Sequence, residues 1–182
     1  MSVVAFAPRE HREDNEDLQI RRARIRDTKE IIALTAQAGA TLTGDALRAE
    51  LSQCAQHPSR GYHCVAVQHG CVVGHAMAIS GVLAQAHTAT VAFVVEEQMR
   101  RQGIGGLLLA DLRRWGTRVG VTRLVAVSAT TNLAAAALLR SAGFICEAPV
   151  MLTYYQIGPK AVHCSQYACL LQEAAGGGES GS

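Results

Sequence analysis

Apolar residues recur along this chain at two spacings, which predict where strands and helices lie. Segments that alternate apolar and polar residues, or that are uniformly β-branched, favour strands, whereas apolar residues three and four positions apart favour helices. Capping residues and prolines mark the ends: Thr43 is placed to cap a helix, and Pro58 closes it. The elements predicted for the first half are a strand over 18–25, a helix from Asp27 or Thr28 to Gly39, a helix over 44–56, a hairpin of strands over 62–68 and 71–79, and a strand over 88–96.

The second half begins with the clearest helical pattern. Its apolar residues step by four, four, three and four positions and so share one helical face: Ile104, Leu108, Leu112, Trp115 and Val119. The elements predicted after this helix are a central strand over 124–127, a helix over 133–142, and strands over 144–156 and 161–171. The order β-α-α-β-β-β-α-β-α-β-β predicts a mixed α/β sheet in one domain.

A glycine turn lies between the strand over 88–96 and the long helix. Two arginines precede three closely spaced glycines in the order Arg100, Arg101, Gly103, Gly105 and Gly106. Glycine lets a ligand come close to the backbone, and the N–H groups of a first helical turn lack partners within the helix and carry its positive dipole end. The turn therefore predicts an anion site suited to a pyrophosphate. The alternative is a turn that merely starts a surface helix beside solvated arginines.

Two common phosphate loops do not fit this turn. A P-loop needs Lys and then Ser or Thr after its second glycine, whereas Gly105 is followed by Gly106 and Leu107. The dinucleotide fingerprint needs Gly or Ala where Leu108 stands. Triphosphate hydrolysis and a Rossmann domain are therefore disfavoured.

The pattern that remains resembles a known signature. Arg100-x-x-Gly103-x-Gly105 is similar to the acyl-CoA-binding signature of the GNAT N-acetyltransferase family. A later segment resembles the family's other signature, in which an asparagine opens a helix along the cofactor and Gly-Phe closes it: Asn132-x-x-Ala135-x-x-Leu138-x-Arg140-x-x-Gly143-Phe144. The resemblance covers roughly 20–171 and implies a GNAT-like α/β fold, a mixed, mostly antiparallel sheet of six to seven strands flanked by about four helices.

The resemblance also implies how acetyl-CoA would bind as acyl donor. Main-chain groups of Val94 and Val95 would pair with the pantetheine arm like an added strand, where this fold splays two parallel strands apart. Asn132 would contact the cofactor or brace its helix. The backbone amides that would hold the pyrophosphate are those of Arg101, Gln102, Gly103, Ile104, Gly105 and Gly106, next to Arg100 of the same signature.

The position of the usual catalytic acid holds a different residue. In many family members a tyrosine seven residues after the helix asparagine protonates the CoA sulfur, and here that position is Leu139. Tyr154, Tyr155 or a water could supply the proton instead, because a thiol with a pKa near 8.5 leaves readily. Tyrosines on a strand are also common packing residues.

The usual carboxylate base is missing as well. An amine with a pKa near 10 must lose a proton before it attacks, but no Asp or Glu occurs between Glu50 and Glu96. His87, just before the strand over 88–96, is the predicted base, with His75 as second candidate. The competing interpretations are a solvated loop histidine and a hydrogen-bonded strand histidine.

Composition limits the remaining function classes. The 182 residues carry a net charge of +2, so no strongly basic field suggests nucleic acid. Six cysteines without a C-x-x-C pair suggest reduced, mostly buried thiols and no metal site. We expect disordered tails over 1–17 and 173–182 around a single domain over 18–172, and a cytoplasmic protein without a membrane partner, since no signal peptide or apolar span is evident.

The sequence thus predicts an N-acetyltransferase that moves an acetyl group from acetyl-CoA directly to an amine of a small molecule or peptide. The alternative is a non-catalytic acyl-CoA-binding or regulatory module, motivated by Leu139 and the carboxylate-free strands. An O-acetyltransferase or a longer-chain acyltransferase is weaker still. Family members often dimerise, so a homodimer is also considered.

Overall fold

The computed structural model describes residues 17–39, 42–157 and 160–171. The tails predicted over 1–17 and 173–182 lie outside the described residues, except for Asp17. The elements are β1 (Gln19–Arg22), α1 (Thr28–Gln37), α2 (Gly44–Gln56), β2 (Gly61–Gln68), β3 (Cys71–Ser80), β4 (Thr88–Val95), α3 (Ile104–Val119), β5 (Arg123–Ala129), α4 (Leu133–Ser141), β6 (Ile145–Ile157) and β7 (Lys160–Leu170). Their order is the predicted one.

One sheet contains all seven strands, in the order β1-β2-β3-β4-β5-β7-β6. Only β4 and β5 are parallel neighbours, and the other pairs are antiparallel. With four α-helices, this confirms the predicted mixed, mostly antiparallel architecture. Parallel neighbouring strands need a crossover connection, and the long helix α3 provides it between β4 and β5 across one face of the sheet.

Strand β1 is shorter than predicted because an ion pair turns the chain. The guanidinium of Arg21 donates to both carboxylate oxygens of Asp27 at 2.7 and 2.8 Å, and the Arg24 N–H donates to the same carboxylate at 2.7 Å. These bonds hold a 3-10 turn over Ile25–Asp27. Asp27 therefore anchors the turn before α1 and does not cap the helix with its side chain.

Helix α3 packs closely on one face of the sheet. Leu108 and Leu112 are fully buried there, as the periodicity predicts, and Leu109 is fully buried beside them. A Cβ at Gly74 of β3 would lie 3.0 Å from Leu108, so the glycine permits this close approach. Helices α1 and α2 cover the other face of β2 and β3 through a second apolar cluster: Ile31, Leu34, Leu47, Leu51, Val65 and Val72. Within the described residues, no helix combines the length and apolarity needed to cross a membrane.

Candidate active site

The parallel strands β4 and β5 separate before they end. Their register runs from Thr88 opposite Arg123 to Val91 opposite Ala126, and no pairing continues beyond it. On the outer sides, β3 still pairs with β4 up to Val95, and β7 pairs with β5 up to Ala129. Both strands are thus held in place while a gap opens between their carboxyl ends. We call this gap, between 92–95 and 127–129, the β4–β5 gap.

Main-chain groups of β4 alternate between β3 and this gap. The Glu96 N–H donates to Val73 and the Gly81 N–H donates to Thr88, so even-numbered positions of β4 face β3. The odd-numbered positions face β5, as the bonds from Thr122 and Arg123 to the His87 carbonyl show. Phe93 and Val95 therefore direct their N–H and C=O groups into the gap. Val94, predicted to pair with the pantetheine arm, directs its own main-chain groups to β3 and not into the gap.

The glycine turn follows β4 and ends at α3. Arg101 and Gly103 both have positive φ, 67° and 84°, which folds the backbone tightly ahead of Ile104. The first N–H of this helix bonded to a backbone carbonyl is that of Leu107, which donates to Gly103 at 3.1 Å. Within the described residues, no backbone carbonyl outside α3 accepts a hydrogen bond from the amides of 101–106. The structure thus gathers the predicted amides at a helix N-terminus beside the β4–β5 gap.

The three glycines of the turn have different surroundings. Gly103 adopts a left-handed conformation, with no atom within 4 Å of an added Cβ. A Cβ at Gly105 would meet Leu138 of α4 at 2.6 Å, whereas one at Gly106 would meet nothing within 4 Å. Gly105 is therefore required for contact between α3 and α4, and Gly106 leaves open space at the helix start.

Side chains around the turn are divided between solvent and core. Arg100, Arg101 and Gln102 are exposed, and the Nε of Arg100 donates to the Val95 carbonyl at 3.3 Å. Ile104, at 1% exposure, anchors the helix in the core. The two arginines thus bring positive charge to the mouth of the gap.

A small pocket continues from the turn along α3 and α4. Its volume is about 170 Å³, and its lining residues are Gly106, Ala110, Arg113, Ser141 and Ala142. The Arg113 guanidinium donates to the Ala142 carbonyl at 2.7 Å, so it fixes the end of α4 against α3.

Asn132 caps α4 and occupies the position the resemblance assigns to it. Its side-chain oxygen accepts a hydrogen bond from the Ala135 N–H at 3.1 Å. Of the two predicted roles, the structure shows the bracing of the helix start. Asn132 follows β5 directly after the turn at 130–131, so the cap lies at the carboxyl end of the strand that borders the gap.

Leu139 replaces the usual tyrosine with a core residue. Its side chain is fully buried in the cluster beneath α3 and α4, with Leu112 and Phe144 among the members. Its position carries no proton donor, and the core leaves no space for one.

Among the predicted bases and acids, His87 is distant from the gap. It precedes β4, seven residues before Val94, which corresponds to about 23 Å of strand. This position gives no support to the prediction that His87 is the base. The side chain of Tyr155 lies outside the described residues, so its role stays a prediction.

Tyr154 lies at the edge of the sheet where β5 ends and the β4–β5 gap opens. Met151 of β6 pairs with Cys164 of β7, which pairs with Ala129 of β5, so residues after Met151 extend past the carboxyl end of β5. The Tyr154 side chain is 47% exposed there. Its role as a proton donor also stays a prediction.

The second candidate base, His75, lies in a buried cluster near the gap. His75 is opposite Val94 of β4, and its Nε2 lies 3.1 Å from Nδ1 of His63 on β2. The Nε2 of His63 faces the carboxylate of Glu50 on α2 at 3.5 Å. At this separation the contact is at the outer limit for a hydrogen bond, and Nε2 has no closer partner among the described residues. Neither Glu50 nor His63 is predicted as a site residue from the sequence.

Comparison with known protein families shows which family this chain belongs to. Residues 27–144 match the model of the acetyltransferase (GNAT) family. The chain belongs to the GNAT acetyltransferase family. The resemblance of its two signatures is thereby confirmed, and members of this family use acetyl-CoA as acyl donor. Among curated proteins, no sequence match was found.

Solved GNAT structures share the fold. An N-acetyltransferase from Staphylococcus aureus Mu50 is 21% identical, with a TM-score of 0.78, over 86% of this chain and 100% of that one. A Salmonella typhimurium protein assigned as an acetyltransferase, with its cofactor acetyl-CoA, is 21% identical, with a TM-score of 0.76, over 88% and 98%. A ribosomal-protein-alanine N-acetyltransferase from Brucella melitensis is 22% identical, with a TM-score of 0.77, over 84% and 99%. At these identities the likeness establishes the fold.

Proposed function

We propose that this GNAT acetyltransferase transfers an acetyl group from acetyl-CoA directly to an amine of a small molecule or peptide. The β4–β5 gap is the observation that carries the proposal. It ends at a helix N-terminus whose amides have no backbone acceptor outside α3 within the described residues, beside two exposed arginines. An extended molecule with a pyrophosphate at one end matches this shape and polarity.

The chain's own residues would hold acetyl-CoA at both ends of the gap. The amides of 101–106 and the positive end of α3 would bind the pyrophosphate, with Arg100 and Arg101 adding charge. The main-chain groups of Phe93 and Val95 would pair with the amides of the pantetheine arm, as a sheet edge pairs with an added strand. When bound, acetyl-CoA supplies an activated acetyl thioester.

Backbone donors in the gap can also assist the transfer. The N–H groups of Phe93 and Val95 point into the β4–β5 gap, whose two borders are held in place by β3 and β7. A fixed donor there would polarise the thioester carbonyl where negative charge develops. The contribution of β4 is therefore both to position the donor and to stabilise charge.

Direct transfer is favoured over a cysteine-bound intermediate. Cys164, opposite Ala129 at the gap, is buried, and burial raises the pKa of its thiol. Burial likewise raises the pKa of Cys54 and Cys64. Thiols held in the protonated form are poor nucleophiles. These three thiols are therefore poor candidates for an acetylated intermediate, which favours attack by the amine on the acetyl group itself.

An amine panel tests this proposal. Full-length protein is incubated with acetyl-CoA and single amines or peptides, and free CoA thiol is measured together with the acetylated product. We expect product formation on at least one amine, in a stoichiometric ratio to thiol. Acetyl-CoA binding without turnover on any acceptor would favour the non-catalytic module. Preferential transfer to a hydroxyl would indicate an O-acetyltransferase, and preferential transfer of a longer acyl chain would indicate a longer-chain acyltransferase.

A further inference from the structure

We propose that Glu50, His63 and His75 form a proton relay in which Nδ1 of His75 takes the proton from the acceptor nitrogen, directly or through one water. His63 then passes a proton to the Glu50 carboxylate. The inference rests on the proposed acetyl transfer to an amine. His75 is the catalytic residue, and His63 and Glu50 are positioning residues that act through it.

The three side chains form a continuous path from the sheet to the protein surface. His75 and His63 are 4% and 2% exposed, and their nearest ring nitrogens are 3.1 Å apart. The Glu50 side chain is 34% exposed, with a carboxylate oxygen 3.5 Å from Nε2 of His63. Protons can therefore leave a buried ring pair through a carboxylate that contacts water.

The carboxylate fixes the direction of the path. An ionised carboxylate only accepts hydrogen bonds, so Nε2 of neutral His63 carries its proton toward Glu50. Nδ1 of His63 then accepts, and Nε2 of His75 must be the donor between the rings. This leaves a lone pair on Nδ1 of His75, which makes no hydrogen bond within the described residues.

The free end of the path lies near the β4–β5 gap. His75 is directly opposite Val94, and residues opposite each other in an antiparallel pair share a face of the sheet. Val94 belongs to the part of β4 that has left β5, between Phe93 and Val95 with their gap-facing groups. One strand width therefore separates His75 from the place proposed for the acyl group.

The electrostatic surroundings keep this path ready to accept a proton. Burial, together with the neighbouring His63, lowers the pKa of His75 to about 3. The close contact with His63 lowers the pKa of Glu50 although burial opposes it, so the carboxylate stays ionised. Of the neighbouring charged groups, Glu30 of α1 accepts a hydrogen bond from the Val72 N–H at 2.7 Å, and Asp27 is paired with Arg21 of β1. Strand β4 has no ionisable side chain from Thr88 to Val95.

The lowered pKa of His75 disfavours a role as an isolated base. A ring that cannot hold a proton at neutral pH serves as a base only if a second proton leaves it in the same event. Here Nδ1 gains the proton from nitrogen, Nε2 gives one to His63, and His63 gives one to Glu50. In the reaction a C–N bond forms, the C–S bond breaks, and its electron pair stays on sulfur.

The path is reset when the proton returns. The CoA thiolate has a conjugate-acid pKa near 8.5, above that of a carboxyl group, so it draws the proton back through the rings. The nitrogen thereby loses the proton that the sulfur gains, without a tyrosine at Leu139. The carboxylate missing from the strands is provided by α2.

Nitrogen NMR of the histidine rings tests the relay without an acceptor. In full-length wild-type protein at pH 7, we expect His63 and His75 to be neutral and protonated at Nε2. Glu50→Gln should disturb this pattern, whereas the matched control Glu147→Gln, at an exposed ion pair with Arg123, should not. A proton on Nδ1 of His75 in the wild type would overturn the proposal.

The pH dependence of turnover on any accepted amine provides the second test. His75→Gln and Glu50→Gln should lower kcat/KM at pH 7 by about 100-fold, the usual scale of general-base catalysis, and the loss should shrink near pH 10 as the free amine becomes abundant. The KM for acetyl-CoA and its thermal shift should not change. Wild-type pH profiles in both variants would disprove the relay.

The two proposals fail in different ways. Without an acetyl-CoA thermal shift in the wild type, the proposed function is wrong whatever the rings show. If the wild type binds acetyl-CoA and turns over an amine, but the ring protons or the pH profiles differ from those expected, only the relay is wrong.

Discussion

Leu138 fills the space that a side chain at Gly105 would need. An added Cβ at Gly105 would lie 2.6 Å from Cδ2 of Leu138. The two signature segments of the chain therefore touch, α3 through its glycine and α4 through its leucine. The glycine turn proposed to hold the pyrophosphate and the Asn132-capped helix are therefore one packed unit.

Gly105→Ala should destabilise the protein through this contact. Leu138 must move to admit the methyl group, and overpacking of this kind costs about 1–3 kcal/mol. Chemical unfolding measures the change in the free energy of unfolding. Gly106→Ala is the control, because its Cβ meets nothing within 4 Å, and it should keep or slightly raise stability. Equal losses in both variants would contradict the contact argument.

Leu139→Tyr should not restore an acid. The leucine is fully buried, so a tyrosine would overpack the core at a cost of about 1–3 kcal/mol. We expect a lower melting temperature and no gain in kcat, compared by thermal unfolding and the thiol assay. A variant with wild-type stability and faster turnover would show that this position borders the reaction.

Asp27→Asn should destabilise the protein in a pH-dependent manner. Burial raises the pKa of Asp27, but its bonds to Arg21 and the Arg24 N–H outweigh this and lower it overall. A lowered carboxyl pKa stabilises the fold above the unfolded pKa near 3.9, and this is lost as pH falls through the lower folded value. We expect a loss of about 2–3 kcal/mol at pH 7, since removal of one charge leaves Arg21 without its partner.

The pH series supplies the check on this interpretation. Urea unfolding of wild type and Asp27→Asn should differ at pH 7 and converge as the pH approaches 2. A difference that is independent of pH would assign the loss to packing and not to the ion pair.

Val95→Pro and Val94→Pro test the direction of the main-chain groups. The Val95 N–H faces the gap, so its removal should weaken acetyl-CoA binding and leave the β3–β4 ladder intact. The Val94 N–H faces β3, so proline there removes a ladder bond and should lower the melting temperature. Calorimetric titration with acetyl-CoA and thermal unfolding separate the two effects. Weaker acetyl-CoA binding in Val94→Pro and a lower melting temperature in Val95→Pro would show that the direction assigned to the β4 main-chain groups is wrong.

Local patterns were sufficient to predict most of the fold. Thr43 caps α2 over the predicted Gly44–Gln56, and Gly120 and Gly143 have the positive φ expected after helices. The glycine turn and Asn132 could be located because their chemistry depends on contiguous residues. These features lie within single elements, where spacing alone is informative.

The contact between His75 and His63 could not be predicted because it depends on register. A two-residue turn at His69 and Gly70 without a bulge would place His75 opposite Cys64, on the face away from His63. The observed bulge between Ala66 and Val67 shifts the pairing, so His75 lies opposite Val65 and shares a face with His63. The bulge cannot be located from the two-residue turn alone. The direction of the Val94 main-chain groups likewise depends on register, in this case that of β4 against β3.

The thermal shift by acetyl-CoA in Gly106→Glu tests the central claim most directly. A side chain at Gly106 meets no atom within 4 Å at its Cβ, and a carboxylate in the first turn of a helix is favourable, so the unliganded protein should keep its melting temperature. The same charge would repel a pyrophosphate, and Gly106→Gln is the uncharged control of equal size. We predict that acetyl-CoA raises the melting temperature of wild type and, to a lesser extent, of Gly106→Gln, but not of Gly106→Glu. An equal shift in all three proteins would contradict an acyl-CoA cradle at this turn.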